Sequence, residues 1–141
     1  MERDLFAVAD QHQYSGRYAD AFAEYARIAA SDPQVEAALR AKAWYSMGLV
    51  AEFAPTVSLG ECDGGMVYYR KAIQVDPGLL DPWRAIVSGF GEFGGSWHHD
   101  VAAFRRAVRH LQECRASLDD SDRSMLDEQV EKYRHLLLSG A

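Results

Sequence analysis

YYRKAIQVDPGLLDPW occupies residues 68–83, and its reading decides the fold. The stretch is helical up to Val75, breaks at Asp76-Pro77-Gly78, and turns helical again before Trp83. Proline lacks the amide hydrogen that a helix interior needs, and glycine readily takes the backbone angles that end one. Working outward, the same alternation continues along the chain. Leu5, Val8, Ala9 and His12 follow helical spacing, as do Tyr18, Phe22, Tyr25 and Ile28 or Ala29. Trp97, Val101, Phe104, Val108 and Leu111 form one continuous stripe, and Leu126, Val130, Tyr133 and Leu137 form another. Short breaks separate them at Ser15-Gly16, Asp32-Pro33, 54–63, Asp76-Pro77-Gly78, 91–95 and 119–121. No alternating strand pattern stands out. The expectation is an all-α chain of about seven helices joined antiparallel.

The helices repeat. GRYADAFAEYARIAASDP from Gly16, GECDGGMVYYRKAIQVDP from Gly60 and GSWHHDVAAFRRAV from Gly95 align on one another. Each opens with Gly, then a larger residue (Tyr18, Cys62, Trp97). A small or short residue follows (Ala21, Gly65, Asp100), then an aromatic (Tyr25, Tyr69, Phe104). The preceding helices align as well: Leu5, Trp44 and Trp83 are separated by 39 residues each, followed by Val8, Met47 and Ile86, then Ala9, Gly48 and Val87. Small residues such as Gly48 and Ala21 let two helices approach, and Trp44, Tyr25, Tyr69 and Phe104 fill the space beside them. Trp44 is expected to be buried. One such pair cannot bury its apolar stripe alone, so pairs must stack.

The pattern resembles the tetratricopeptide repeat family. Its first-helix signature is carried by WYSMG from Trp44 and WRAIV from Trp83, and its second-helix signature by YYRKAIQVDP. The resemblance spans roughly residues 2–112. It departs from the family at Val87 (usually Gly), Ile28 (usually Ala) and Gln112 (usually Pro), in an enlarged turn, APTVSLGECD, and in extra residues before Trp44. It implies a single domain over 1–141: a short right-handed α-solenoid of antiparallel helix-turn-helix repeats at about 2–33, 35–78 and 80–116, closed by a capping helix at 121–139. Ser121 or Asp120 is the expected N-cap of that last helix.

Composition narrows the functions. Hydrophobic residues make up 48% and charged residues 26%, a globular balance, and the formal charge is −6. An acidic chain without a Lys/Arg run is not expected to bind nucleic acid or an anionic membrane. Two cysteines, Cys62 and Cys114, fit a reduced cytoplasmic setting. MERDLFAVAD has acids where a signal peptide needs a basic and then an apolar run, so none is expected, and no apolar run approaches the roughly 18 residues of a membrane span.

The chemistry-bearing motifs read as scaffold. In GGSWHHD, Ser96 is expected to cap a helix, with Trp97 packing between helices and His98 and His99 on the exposed first turn. A helical metal pair needs His at i and i+4, but those positions hold Ala102 and Ala103. His99 and His110 are about 16 Å apart along a helix. The alternative is a small metal-dependent enzyme or accessory subunit that uses His98 and His99. CDGG lacks the GK[ST] of a phosphate loop. Cys62 reads as a packed small hydrophobe, and Asp119, Asp120 and Asp122 read as helix-start acids rather than a calcium loop. No catalytic residue, metal ligand or cofactor is assigned.

What remains is a surface. In the family, first helices line a concave groove that takes a peptide or a partner's helix. Carried over, that groove presents Phe6, Asp10, Gln13 and Tyr14, then Lys42, Tyr45, Ser46, Leu49, Glu52 and Phe53, then Asp81, Arg84, Ala85, Ser88 and Glu92. Tyr14, Lys42, Tyr45, Leu49 and Arg84 are the preferred contacts, because Tyr and Arg are efficient interface anchors. The chaperone-tail clamp of the family needs Lys, Asn and Arg, and the aligned Phe6, Asp10, Ser46, Asp81 and Ala85 supply none. The expectation is a non-catalytic adaptor for a protein or peptide partner. Self-assembly as a homo-oligomer, through the groove or the Leu136-Leu137-Leu138 end, is a further alternative.

Overall fold

In a computed structural model, residues 2–31, 34–54, 65–91 and 100–138 are described, the side chains from Leu5 onward. The described residues are helical throughout their regular structure, with no strand among them. In chain order they form α1 (Glu2–Tyr14), α2 (Tyr18–Ala29), α3 (Ala37–Phe53), α4 (Met66–Val75), α5 (Leu80–Gly89), α6 (Val101–Glu113), α7 (Asp120–Lys132) and α8 (Arg134–Leu138), with a 3-10 turn at Arg115–Ser117. They divide into two compact units, Met1–Pro82 and Trp83–Ala141, with the boundary inside α5.

In the first unit each helix packs on the next, α1 on α2, α2 on α3 and α3 on α4. Gly16 makes the first reversal. Its φ of +78° lets Gly16 N–H reach Gln13 O at 3.1 Å and Arg17 N–H reach His12 O at 2.9 Å, which satisfies two carbonyls at the end of α1. The break after α4 is built by Asp76. Its carboxylate accepts from Gly78 N–H at 3.0 Å, and its carbonyl accepts from Leu79 N–H at 3.2 Å. The core joins Phe6, Ala9, Ala21, Phe22, Tyr25, Ile28, Met47, Val50 and Tyr68.

The closest crossing is α3 on α4. A Cβ placed on Gly48 would run into the Tyr69 ring, and one on Gly65 would lie 2.6 Å from Gly48 O. Only glycine at both places allows this approach. Gly65 therefore serves helix packing, as the small residue aligned with Ala21; residues 55–64, including Cys62, lie outside the described residues.

Three expectations for this unit need correction. Phe6, assigned to the groove, is buried and stands 6.2 Å from the Tyr25 ring. Val8, assigned to the apolar stripe, is exposed. Both follow from one rotation: the inward face of α1 runs through Phe6 and Ala9, which turns Val8 outward. Trp44 is half-buried rather than buried, because its indole lies over Tyr68 at 6.4 Å on the core's rim and carries Lys71 Nζ at 6.0 Å on its ring.

The second unit is built on rings. Phe104 of α6 stacks on Phe90 at 4.2 Å, and Tyr133, at the end of α7, meets both edge-on, at 5.7 Å and 4.9 Å. Gly91, at φ +79°, leaves the room that the Tyr133 hydroxyl occupies. Side chains close the helix ends. Gln129 Nε2 donates to Val87 O at 2.7 Å and sits 3.4 Å from Phe90 O, covering carbonyls that α5 cannot pair itself. Arg105 Nε donates to Leu136 O at 2.8 Å, tying α8 to α6.

Here the caps differ from expectation. Asp100, not Ser96, caps α6, which starts at Val101, and its carboxylate accepts from Ala103 N–H at 3.0 Å. Ser96, Trp97, His98 and His99 lie outside the described residues. Asp119, rather than Asp120 or Ser121, caps α7, accepting from Asp122 N–H at 2.8 Å. An aspartate reaches the third amide better than its neighbours do once the chain enters extended at that residue. The single capping helix expected over 121–139 is instead α7 and a short α8, interrupted at Tyr133, whose ring is drawn into the aromatic cluster. Leu126 is buried, while Asp127, Glu128, Glu131, Lys132 and Arg134 face water as expected.

Candidate binding surface on α1 and α3

Four of the five preferred contacts lie on α1 and α3, and these helices meet where Lys42 Nζ sits 5.3 Å above the Phe6 ring. Tyr14, the last residue of α1, is 91% exposed. Tyr45 is half-buried with its ring 5.8 Å from Tyr69, and Lys42 and Leu49 are half-buried. The fifth, Arg84, lies on α5 in the second unit and pairs with Asp122 at 2.7 Å. A ligand must compete with that carboxylate for the guanidinium. Sequence reading missed this pair because its members are 38 residues apart.

A device is repeated at the ends of α1 and α3. In the first case the Tyr25 hydroxyl donates to Asp10 Oδ1 at 2.6 Å and lies 2.7 Å from the Gln13 amide. In the second, Glu52 Oε1 accepts from Gly65 N–H at 2.8 Å, and its charge acts on Tyr69. Gln13 and Glu52 are equivalent at the 39-residue offset, as are the residues that follow them, Tyr14 and Phe53. The polar member turns onto the second helix of its own pair, and the aromatic next to it is left outside. Phe53 is 69% exposed. Among the described residues the large exposed apolar side chains are Val8, Tyr14, Phe53 and Leu138, so three of them lie on these two helices.

Burial, reinforced by Asp10 for Tyr25 and by Glu52 and Tyr45 for Tyr69, raises both phenol pKa values above the usual 10. A raised phenol pKa favours the folded state up to the unfolded value and loses that contribution as pH climbs from there toward the folded one. Alkaline unfolding is therefore expected to begin above about pH 10. Tyr25→Phe and Tyr69→Phe are each expected to flatten the fall in stability, read by denaturant melts across that range. An unchanged slope in both variants contradicts the burial assignment.

Among the described residues no group of three or more His, Cys, Asp or Glu is placed to hold a metal ion, and no helix is long and apolar enough to cross a membrane. Asp119 caps α7, Asp120 pairs with Arg123 at 3.0 Å, and Asp122 pairs with Arg84, so each acid has a structural task. No protein-family model matches the chain, and neither curated proteins nor solved structures show a significant match.

Proposed function

We propose that this chain is a non-catalytic, tetratricopeptide-like module that binds a peptide or a partner's helix on the face formed by α1 and α3. The observation that carries the reading is the repeated placement of Tyr14 and Phe53. One exposed aromatic is ordinary on any surface. Two at equivalent positions on the first helices of successive helix pairs, each beside a polar residue turned inward, make a periodic row, and such a row suits an elongated ligand. Tyr45 and Leu49 supply half-buried apolar surface on the same helix as Phe53, and Lys42 supplies a cation. The paired helices and the glycine-to-tyrosine crossing of α3 on α4 support the family resemblance.

The ligand on this reading is neutral to basic and carries at least one large apolar anchor, since the exposed Asp10 keeps a carboxylate at this face while Glu52 is engaged with Gly65. Rings provide the affinity, and charges set orientation and on-rate. A displayed peptide library selected on the whole chain tests it. Peptides with a Leu, Met or aromatic anchor should be enriched, and they should be lost when the same selection uses Tyr14→Ala/Phe53→Ala. Failure to enrich any peptide, or enrichment of strongly acidic ones, counts against the proposal.

A further inference from the structure

His110 and Cys114 take no part in the face just described. They stand four residues apart on the last turn of α6, and so share one side of it. Cys114 Sγ lies 3.8 Å from His110 Nε2. The imidazole is stacked on the indole of Trp83, with ring centres 4.0 Å apart and planes 16° from parallel. Trp83 is buried, so it fixes the plane of the histidine ring and keeps the Nε2 edge toward the sulfur. His110 and Cys114 are both half-exposed, open to an ion arriving from water.

The geometry points to a two-donor site for a soft monovalent cation of the Cu(I) class, held by the Cys114 sulfur and His110 Nε2. Three features of the pair fit such an ion, and the first is the bite. With zinc's bonds of about 2.3 Å to sulfur and about 2.0 Å to nitrogen as a scale, the donors are about 3.5 Å apart at a tetrahedral angle and about 4.3 Å apart when linear. The separation of 3.8 Å lies about 0.5 Å short of the linear value, an opening that rotation of the Cys114 side chain supplies without moving the helix. The second is ligand number. Structural zinc takes four protein ligands, whereas a soft thiolate selects Cu(I) and imidazole is also a copper ligand. The third is the field. His110 lies in the last turn of α6 and Cys114 is its C-cap, where the helix carbonyls favour positive charge. The flanking charges are Arg109 and Glu113, both exposed, and Arg115, whose guanidinium is held by Asp127 at 2.8 Å. On binding, the S–H bond breaks, its proton leaves to solvent and the metal–sulfur bond forms. No electron moves and the charge of the site is unchanged.

Silver(I), a redox-inert probe of the same class, tests this by titration into the full chain carrying Cys62→Ser, which leaves Cys114 as its only thiol. Competition against a chromophoric chelator reads affinity, and tryptophan emission reports on Trp83. The expected result is one silver ion per chain with a change in emission. Binding should weaken by at least about 10-fold in His110→Gln, the scale on which even an outer-shell metal partner matters, and should be lost in Cys114→Ser. In the unmodified chain, Cys114→Ser should remove one bound ion. Melting of the metal-free variants separates a lost ligand from a lost fold. Silver bound as tightly in a folded His110→Gln as in its parent means a bare thiol and overturns the site, as does an unchanged stoichiometry on loss of Cys114.

Discussion

Replacing Phe104 with alanine is expected to cost about 3–5 kcal/mol, the range for removing a buried aromatic and leaving a cavity. Phe104 is fully buried, and its ring is the one that Phe90 stacks on and Tyr133 abuts. Neither neighbour can collapse into the space easily. Tyr133 sits at the junction of α7 and α8 with its hydroxyl over Gly91, and Phe90 lies where Gln129 covers the end of α5. Chemical denaturation of Phe104→Ala beside Arg106→Ala, an exposed position two residues on, makes the comparison. Arg106→Ala should stay within about 0.5 kcal/mol of the parent. Similar losses in both variants contradict the three-ring core.

Gly48→Ala sets two effects of opposite sign against each other. Alanine is the better helix former by about 1 kcal/mol, so an open position gains stability. Gly48 is not open: the new methyl meets the Tyr69 ring and lies 3.1 Å from Gly65 O. Tyr69 is 1% exposed and has nowhere to retreat. Overpacking a filled site costs about 1–3 kcal/mol and sometimes more, so a net loss of about 2 kcal/mol is expected, and a greater one for Gly48→Val. Tyr69→Leu in the Gly48→Ala background should recover part of it, a coupling that a double-mutant cycle measures. A Gly48→Ala protein more stable than its parent removes the close crossing of α3 and α4 from the account.

Helix positions were legible in the sequence because their signals are local. Pro77, Gly16 and Gly78 mark breaks by backbone chemistry, and the stripe of Phe104, Val108 and Leu111 declares its buried face by spacing. Gly48 and Tyr69 were legible as a small residue and the aromatic that fills the space beside one because the aligned repeats gave each a counterpart, Ala9 for Gly48 and Tyr25 for Tyr69. What failed was the rotation of α1. Phe6 and Val8 are both apolar, and spacing cannot say which of two adjacent faces turns inward when Leu5 and Ala9 satisfy either. Caps failed in the same way: within Asp119-Asp120-Ser121, and between Ser96 and Asp100, every candidate has a suitable oxygen, and only the backbone path selects one. The ends of α1 and α3 were half legible. Tyr14 was chosen as an anchor and Phe53 placed on the groove, but the inward turn of Gln13 and Glu52, which makes those rings a row, depends on hydroxyls and amides of other helices. Arg84–Asp122 and Gln129–Val87 bridge distant segments, and no local pattern announces them.

The most direct measurement is the affinity of one library-selected peptide for the parent chain and for Tyr14→Ala/Phe53→Ala, by isothermal titration. Burying one large apolar side chain contributes about 1.5–3 kcal/mol, so removing both rings should weaken binding by about 100-fold or more. Arg27→Ala, on the exposed face of α2 where the guanidinium pairs with Glu24 of its own helix at 3.1 Å, should bind as the parent does. A double variant that stays folded and binds with parental affinity contradicts the claim that the ends of α1 and α3 are the binding surface.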